Sequence, residues 1–341
     1  MSGKELPKQE KRRWGRIETN IADLVSGVKE NKFSSIARAI SMVEDEDPLL
    51  RKDILRKIGT SATEAHVIGI TGPPGIGKST LIGNLSSGMM ARGITNGVLA
   101  IDASSPFTGG SLLGNRIRMQ DKLRESHVFM RSLANRGEKG GLSRSAIGAV
   151  RILESAGNQE IIIETVGAGQ ADLDIMNLAD SIVLVLAPGL GDEIQAIKAG
   201  IMEISHIFVI NKMDREGAYF AMKDIEDIVS MDDHSGWKRP VVGTTSKDND
   251  SYNGLIDAIL SHRKYLEMSN GLSVKRRYME LETALEDEIN ETITSKLKKK
   301  LLEEYVSGKR LGHDGFDDDP FSIAEDLLKN FLEYPLNEEE N

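Results

Sequence analysis

Between residues 65 and about 265 the chain alternates short, nearly continuous apolar runs with helical patterns. The runs fall at 67–70, 98–101, 161–163, 182–186, 207–210 and 241–242. Runs of this kind, rich in β-branched residues and without polar alternation, suit strands buried on both faces. Helices between them imply right-handed parallel crossovers. The pattern predicts an α/β fold with a doubly wound, mostly parallel sheet, whose ligands sit beyond the carboxyl ends of the strands. Ahead of it, Ile17, Ile21, Leu24 and Val28 repeat at helical spacing, as do Phe33, Ile36, Ile40 and Val43. Asp47-Pro48 interrupts the stripe, and Leu50, Ile54, Leu55 and Ile58 restart it, so 1–63 reads as a helical extension packed on something larger. Past the α/β region (64–265), Leu281, Leu285, Ile289, Ile293, Leu297 and Leu301 step by four through a highly charged segment. Residues 266–341 are therefore expected to form an amphipathic helical arm, broken at Gly308, Gly312 and Gly315, with a further short helix around Phe321 to Phe331 and an acidic tail.

Composition narrows the class. A chain of 341 residues can bury a large core, and its net charge of -10 argues against general binding to nucleic acid or to an anionic membrane. Lys11, Arg12, Arg13 and Arg16 make the N-terminus basic, but Glu5 and Glu10 interrupt it, and a solvated tail is expected there rather than a transit peptide. There is no cysteine, hence no disulfide framework, thiolate metal site or cysteine nucleophile, in keeping with a reducing cytoplasm. No apolar run approaches the roughly 18–20 residues that span a bilayer, and no apolar secretory core follows Met1. A cytoplasmic protein is the expectation.

The candidate chemistry is concentrated where the apolar runs end. After the first run comes Gly72-Pro73-Pro74-Gly75-Ile76-Gly77-Lys78-Ser79-Thr80, which fits the G-x-x-x-x-G-K-[ST] phosphate-binding loop. Glycines let successive backbone N–H groups turn inward around phosphates, and the helix starting near Lys78 adds its positive dipole end. Lys78 is positioned to reach the β- and γ-phosphates, and the Ser79 hydroxyl to bind Mg²⁺. The second run ends at Asp102, a carboxylate that can hold Mg²⁺ directly or through water, or else cap a turn. The third ends in Glu164-Thr165-Val166-Gly167-Ala168-Gly169-Gln170, with Glu164 placed as a Walker-B-like carboxylate and Gly167 free to turn its N–H toward a γ-phosphate. Many GTPases place a water-orienting glutamine immediately after that glycine. Here the position holds Ala168, and slow hydrolysis by the isolated protein is expected.

The fifth run ends in Asn211-Lys212-Met213-Asp214, an N-K-x-D base-reading element. A buried Asp214 can accept from the N1–H and exocyclic amine of guanine, whereas adenine leaves it unpaired. Sites built on such bonds can discriminate by about 10⁴–10⁵. Thr245-Ser246-Lys247, after the last run, stands where a second base-contacting loop belongs, with Ser246 and Lys247 as candidate contacts.

Taken together these segments resemble the ArgK/MeaB family of P-loop GTPases. The resemblance is carried by the phosphate loop, by Ser104-Ser105-Pro106-Phe107-Thr108-Gly109-Gly110-Ser111, by the segment from Glu164 to Gln170, and by Pro188-Gly189-Leu190-Gly191-Asp192-Glu193-Ile194-Gln195-Ala196-Ile197-Lys198-Ala199-Gly200 running on to Asp214. It implies GTP/GDP and Mg²⁺, a homodimer held by the C-terminal arm, and a chaperone that protects an adenosylcobalamin-dependent methylmalonyl-CoA mutase or a relative and gates its cofactor loading. It carries nucleotide contacts onto Gly75, Gly77, Lys78, Ser79, Thr80, Asn211, Lys212 and Asp214, and metal or γ-phosphate sensing onto Asp102, Glu164 and Gly167. Two departures stand out. Gly114-Asn115-Arg116 has Asn115 where the family usually has aspartate, and Asn135-Arg136-Gly137-Glu138-Lys139 differs ahead of the paired Gly140-Gly141. Arg116, Arg118, Arg131 and Arg136 are candidates for stabilising transferred charge.

Two other readings compete. A metal-insertion GTPase needs soft or imidazole ligands, and His66, His127, His206, His234, His262 and His313 lie scattered without ligand spacing. A protein kinase linked to basic amino-acid transport, as the ArgK name suggests, would need an acceptor-hydroxyl domain that the pattern does not show.

Overall fold

The computed structural model describes residues 20–44, 48–59, 64–103, 119–135, 141–165, 177–189, 201–231, 236–269 and 274–290. The chain divides into two compact units, Met1–Glu280 and Leu281–Asn341.

Three helices come first: α1 (Ile21–Lys29), α2 (Phe33–Glu44) and α3 (Pro48–Ile58). Asn20 starts α1 by accepting from the Ala22 N–H at 3.0 Å, which satisfies a backbone donor the helix cannot. The stripes read from sequence supply the buried faces, Leu24 and Val28 on α1, Ile36, Ile40 and Val43 on α2, Ile54 and Ile58 on α3, although Phe33 at the start of α2 is exposed. Each such side chain contributes about 1.5–3 kcal/mol by leaving water. They pack against Ile147, Val150 and Leu153 of α5 (Gly141–Ser155).

Seven parallel strands form one sheet: β1 (His66–Thr71), β2 (Asn96–Ala103), β3 (Phe129–Asn135), β4 (Glu160–Thr165), β5 (Ser181–Leu186), β6 (Ile207–Asn211) and β7 (Val241–Thr244). Their spatial order is β3-β2-β4-β1-β5-β6-β7. β1, β4 and β5 are buried at every position, as their unbroken apolar runs require. The expectation of a doubly wound parallel α/β sheet is met. β3 was not among the apolar runs. It is an edge strand carrying Arg131, Ser132 and Asn135, and its Arg131 donates to Glu44 of α2 at 2.5 Å and to the Ala37 carbonyl at 3.1 Å.

One sheet face is covered by α4 (Lys78–Ala91), by residues 119–125, which are helical, and by α8 (Asn253–Met268), which follows a 3₁₀ turn at Asn249–Tyr252. The other carries α1–α3 and α5 at one end, and at the other α7 (Ala218–Ser230), preceded in the chain by the short α6 (Ile201–Ile204). The last described helix, α9 (Val274–Asn290), is held at its start by buried Arg276. Arg276 donates to Asp180 at 3.0 Å, to the Ala65 carbonyl at 3.1 Å and to Glu154 at 3.4 Å.

Candidate nucleotide-binding site

β1 delivers the chain into the glycine-rich loop, and α4 begins at Lys78, where sequence placed it. The turn needs left-handed backbone at Gly72 (φ +144°) and Gly77 (φ +96°). A Cβ on Gly72 would lie 2.2 Å from the Val185 carbonyl oxygen of β5, so only glycine lets the loop leave the sheet there. Pro73 and Ile76 are buried within the loop, while Pro74, Gly75 and Thr80 are exposed. Lys78 is buried, and its Nζ donates to the carbonyls of Gly72 at 2.6 Å and Pro73 at 3.0 Å, bracing the loop from inside.

The strand order explains what meets Ser79. β4 lies between β1 and β2, with Ile70 opposite Glu164. That register brings a carboxylate from the end of β4 beside the first turn of α4, and Ser79 Oγ donates to Glu164 Oε1 at 2.8 Å. Glu164 is buried. A hydroxyl and a carboxylate are hard oxygen donors of the kind Mg²⁺ takes one or two of, leaving its other positions to water and phosphate. Among the described residues no group of three or more His, Cys, Asp or Glu side chains could hold a metal by itself. The donor set therefore fits magnesium shared with a nucleotide and not an all-protein cage. Asp102 stands near the end of β2, in register with Ala134 of β3. Gly167, Ala168, Thr108, Asn115, Arg116, Arg118, Arg136 and the segment 190–200 lie outside the described residues.

The base-reading element is tied to the phosphate loop through its own side chains. Asn211 ends β6, and its Nδ2 donates to the Ile76 carbonyl at 2.8 Å while its Oδ1 accepts from Thr244 Oγ1 at 3.1 Å. Lys212, at φ +61°, reaches back to donate to the Gly75 carbonyl at 2.9 Å. Burial lowers the pKa of its ammonium, Arg215 adds to that, and Asp214 opposes it. Asp214 accepts from Thr245 Oγ1 at 2.8 Å and pairs with Lys247 Nζ at 2.9 Å. Hydrogen bonds from Lys247 first, then Thr245, bring the Asp214 carboxyl down to about 2.

One point differs from the sequence reading. Asp214 is exposed, not buried, so its carboxylate is oriented by Thr245 and Lys247 and not by exclusion from water. Ser246 is exposed, and it is Thr245 that touches Asp214, with Thr244 buried against Asn211. A run of hydroxyls at a strand end carries no signal of which one turns inward.

At the opposite ends of the strands, histidines that looked scattered converge. His66 contacts Glu160 at 2.7 Å and Ser181 at 2.6 Å, and Ser181 contacts His262 at 2.5 Å. The His206 ring lies 4.5 Å from that of His262, and Arg263 donates to Glu160 at 2.8 Å. His66, Glu160, Ser181 and His262 are all buried. The group ties β1, β4, β5 and α8 together.

Residues 36–301 match the model of a family described as methylmalonyl Co-A mutase-associated GTPase MeaB. The chain belongs to the MeaB family. It is a GTPase, and it binds guanine nucleotide. A Pyrococcus abyssi relative, named only provisionally as a GTPase, is 42% identical over 94% of this chain and 100% of its own. GTPase ArgK of Escherichia coli is 34% identical over 58% of this chain and 60% of its own. The methylmalonic aciduria type A homolog of Caenorhabditis elegans, a mitochondrial protein, is 36% identical over 58% and 53%. The crystal structure of an LAO/AO transport system kinase shares the fold of this MeaB-family chain, with a TM-score of 0.63 at 20% identity, covering 93% of this chain and 99% of that one.

Proposed function

We propose that this MeaB-family GTPase is a GTP-driven chaperone that protects an adenosylcobalamin-dependent acyl-CoA mutase of the methylmalonyl-CoA type and gates its cofactor loading. The family's mutase-associated description and the similarity to the methylmalonic aciduria type A homolog support the partner. The Ser79–Glu164 contact is the observation that carries the switch. In this reading the glycine-rich loop from Gly72 to Thr80 cradles the phosphates, and Lys78 turns from the loop carbonyls toward the β- and γ-phosphates. Ser79 and Glu164, with Asp102, hold Mg²⁺, which neutralises charge on the phosphate oxygens. Asn211, Lys212, Asp214, Ser246 and Lys247 line the base end, where the ionised Asp214 accepts from the N1–H and amine of guanine.

Gly167 senses the γ-phosphate through its N–H, so the GTP and GDP states differ in the segment that follows β4. A partner moves that balance only by its differential affinity for the two states, and the coupling is reciprocal. With Ala168 in place of a water-orienting glutamine, the isolated protein turns over slowly and the mutase completes the hydrolytic site. The apolar stripe of α9 joins two copies into a homodimer. Among the described residues no helix is long and apolar enough to cross a membrane, and a cytoplasmic site of action is part of the same reading. The test is GTP turnover, and adenosylcobalamin transfer to apo-mutase, with and without the purified mutase. Stimulation with nucleotide-dependent loading supports the role. Equal turnover and equal loading in all nucleotide states reject it.

A further inference from the structure

Behind the nucleotide site, the polar side chains of buried Asn84, buried Tyr252 and half-buried Lys122 join α4, the 3₁₀ turn at Asn249–Tyr252 and the helical stretch 119–125. Asn84, on α4 and past Lys78 and Ser79 on the same helix, donates through Nδ2 to the Tyr252 hydroxyl at 2.8 Å. Its Oδ1 accepts from Lys122 Nζ, in the helical stretch 119–125. Tyr252 ends the 3₁₀ turn that closes the loop carrying Thr245 and Lys247. It is 2% exposed and belongs to the same buried cluster as Leu81, Leu85, Met89 and Leu123. Burial also raises the pKa of its phenol, which therefore stays protonated. Asn84 is buried too, so each of its amide bonds replaces one to water, and losing a partner leaves a group unpaired. The ammonium at one end of the amide polarises the N–H at the other, which makes the three groups act as one unit.

We infer that Lys122–Asn84–Tyr252 is a positioning network for the base-reading loop, through which the placement of residues 119–125 sets how tightly guanine is held. The inference rests on the assignment of Asp214 and its loop to the base. Its logic is geometric. Tyr252 fixes the end of the loop whose Thr245 orients Asp214, while Lys122, in the helical stretch 119–125, holds the other end of the same Asn84 amide. A second contact between α4 and this region, Ser87 Oγ to Ser126 Oγ at 2.7 Å, does not touch Tyr252 and serves as an internal control.

The experiment measures release of fluorescent GDP and kcat at saturating GTP for Tyr252→Phe, Lys122→Met, the double variant and Ser87→Ala. Tyr252→Phe removes one oxygen and keeps the ring. The network predicts GDP release about three- to tenfold faster in each single variant of the chain. It predicts no further acceleration in the double variant, wild-type release in Ser87→Ala, and kcat within about twofold throughout. Wild-type release in Tyr252→Phe overturns the network, as do additive effects or equal acceleration in Ser87→Ala. Separately, if the unaltered protein fails to prefer GDP over ADP, the assignment of the base loop itself falls, and the network with it.

Discussion

The Ser79 hydroxyl donates to Glu164 Oε1 across 2.8 Å, although the residues stand 85 positions apart in the chain. The contact exists because β4, and not β2, pairs with the strand that enters the phosphate loop. In the proposed function, a carboxylate in that place orients the hydroxyl that would hold Mg²⁺. Glu164→Gln keeps size and one acceptor oxygen but loses the charge. The fold should survive. The Mg²⁺ concentration giving half-maximal GTP turnover should rise about 10–100-fold, the range for groups that hold metal ligands in place. A magnesium titration of steady-state hydrolysis checks this, and an unchanged midpoint would remove Glu164 from the metal site.

Hydrogen bonds from Lys247 and Thr245 hold the Asp214 carboxyl at about 2, below the ordinary aspartate value. Guanine binding should therefore not fall through the ordinary aspartate range, and any acid loss above pH 4 must come from another group. Asp214→Asn replaces one acceptor oxygen with an NH₂ donor that opposes the donors of guanine. GTP affinity should drop by about 10²-fold or more while XTP, with a carbonyl at that edge, gains. Competition binding with the two nucleotides decides it. Equal loss for both would mean that Asp214 supports the loop and does not read the base.

Much of this was legible from apolar runs and motif spacing. Six strands of the sheet carry the six runs, and α4 begins at the predicted residue, because two-sided burial and glycine-dependent turns leave unmistakable traces in sequence. β3 left none: as an edge strand it carries Arg131 toward Glu44, and its polar positions hide it. Strand order was equally silent, since nothing in a run of isoleucines says which neighbour it will take. The gathering of His66, His206 and His262 could not be read either, because that pairing depends on the order of strands rather than on spacing along one helix or loop.

That gathering predicts an acid sensitivity. Burial first, then His206 and His66, push the His262 imidazole from 6.5 down to about 3. Below pH 6.5 the unfolded chain takes up a proton that the folded chain refuses until near 3. The stabilisation is therefore fully present above 6.5 and declines as pH falls toward 3, by at most about 1.4 kcal/mol per pH unit. Thermal melts at pH 7, 6 and 5 should show a falling Tm, with a shallower slope in His262→Phe, which keeps a ring against Trp237. A slope that persists unchanged assigns it to another group.

Arg276 is 3% exposed, with Asp180 and Glu154 both within reach of its guanidinium. Burial raises the pKa of the Glu154 carboxyl, with the Ala65 N–H and Arg276 pulling the other way. Arg276→Ala would take the cation from two half-buried carboxylates that keep the N–H groups of Ala65 and Val67, at a cost below the roughly 3–5 kcal/mol of a fully buried pair. Urea melts should show that loss, with amide exchange accelerated first at 274–280. Protection there unchanged from wild type would mean that α9 is held by its apolar contacts instead.

Beyond that anchor, Tyr278, Leu281, Leu285 and Ile289 of α9 are exposed, Leu281 at 68% and Leu285 at 58%. A stripe at helical spacing on one face is what a second copy of the chain would cover, and acidic Glu282, Glu286 and Asp287 beside it keep such a face soluble until it pairs. Leu281→Glu with Leu285→Glu should leave the Tm of the nucleotide domain unchanged, because neither side chain is in its core. If the stripe is the dimer contact, self-association should weaken by about 10²-fold or more, as it does when central anchors of an interface are lost. Sedimentation across a concentration series then finds monomer where the unaltered protein is dimeric. Identical sedimentation of the two proteins would free the stripe from that role and leave it as a surface for some other partner.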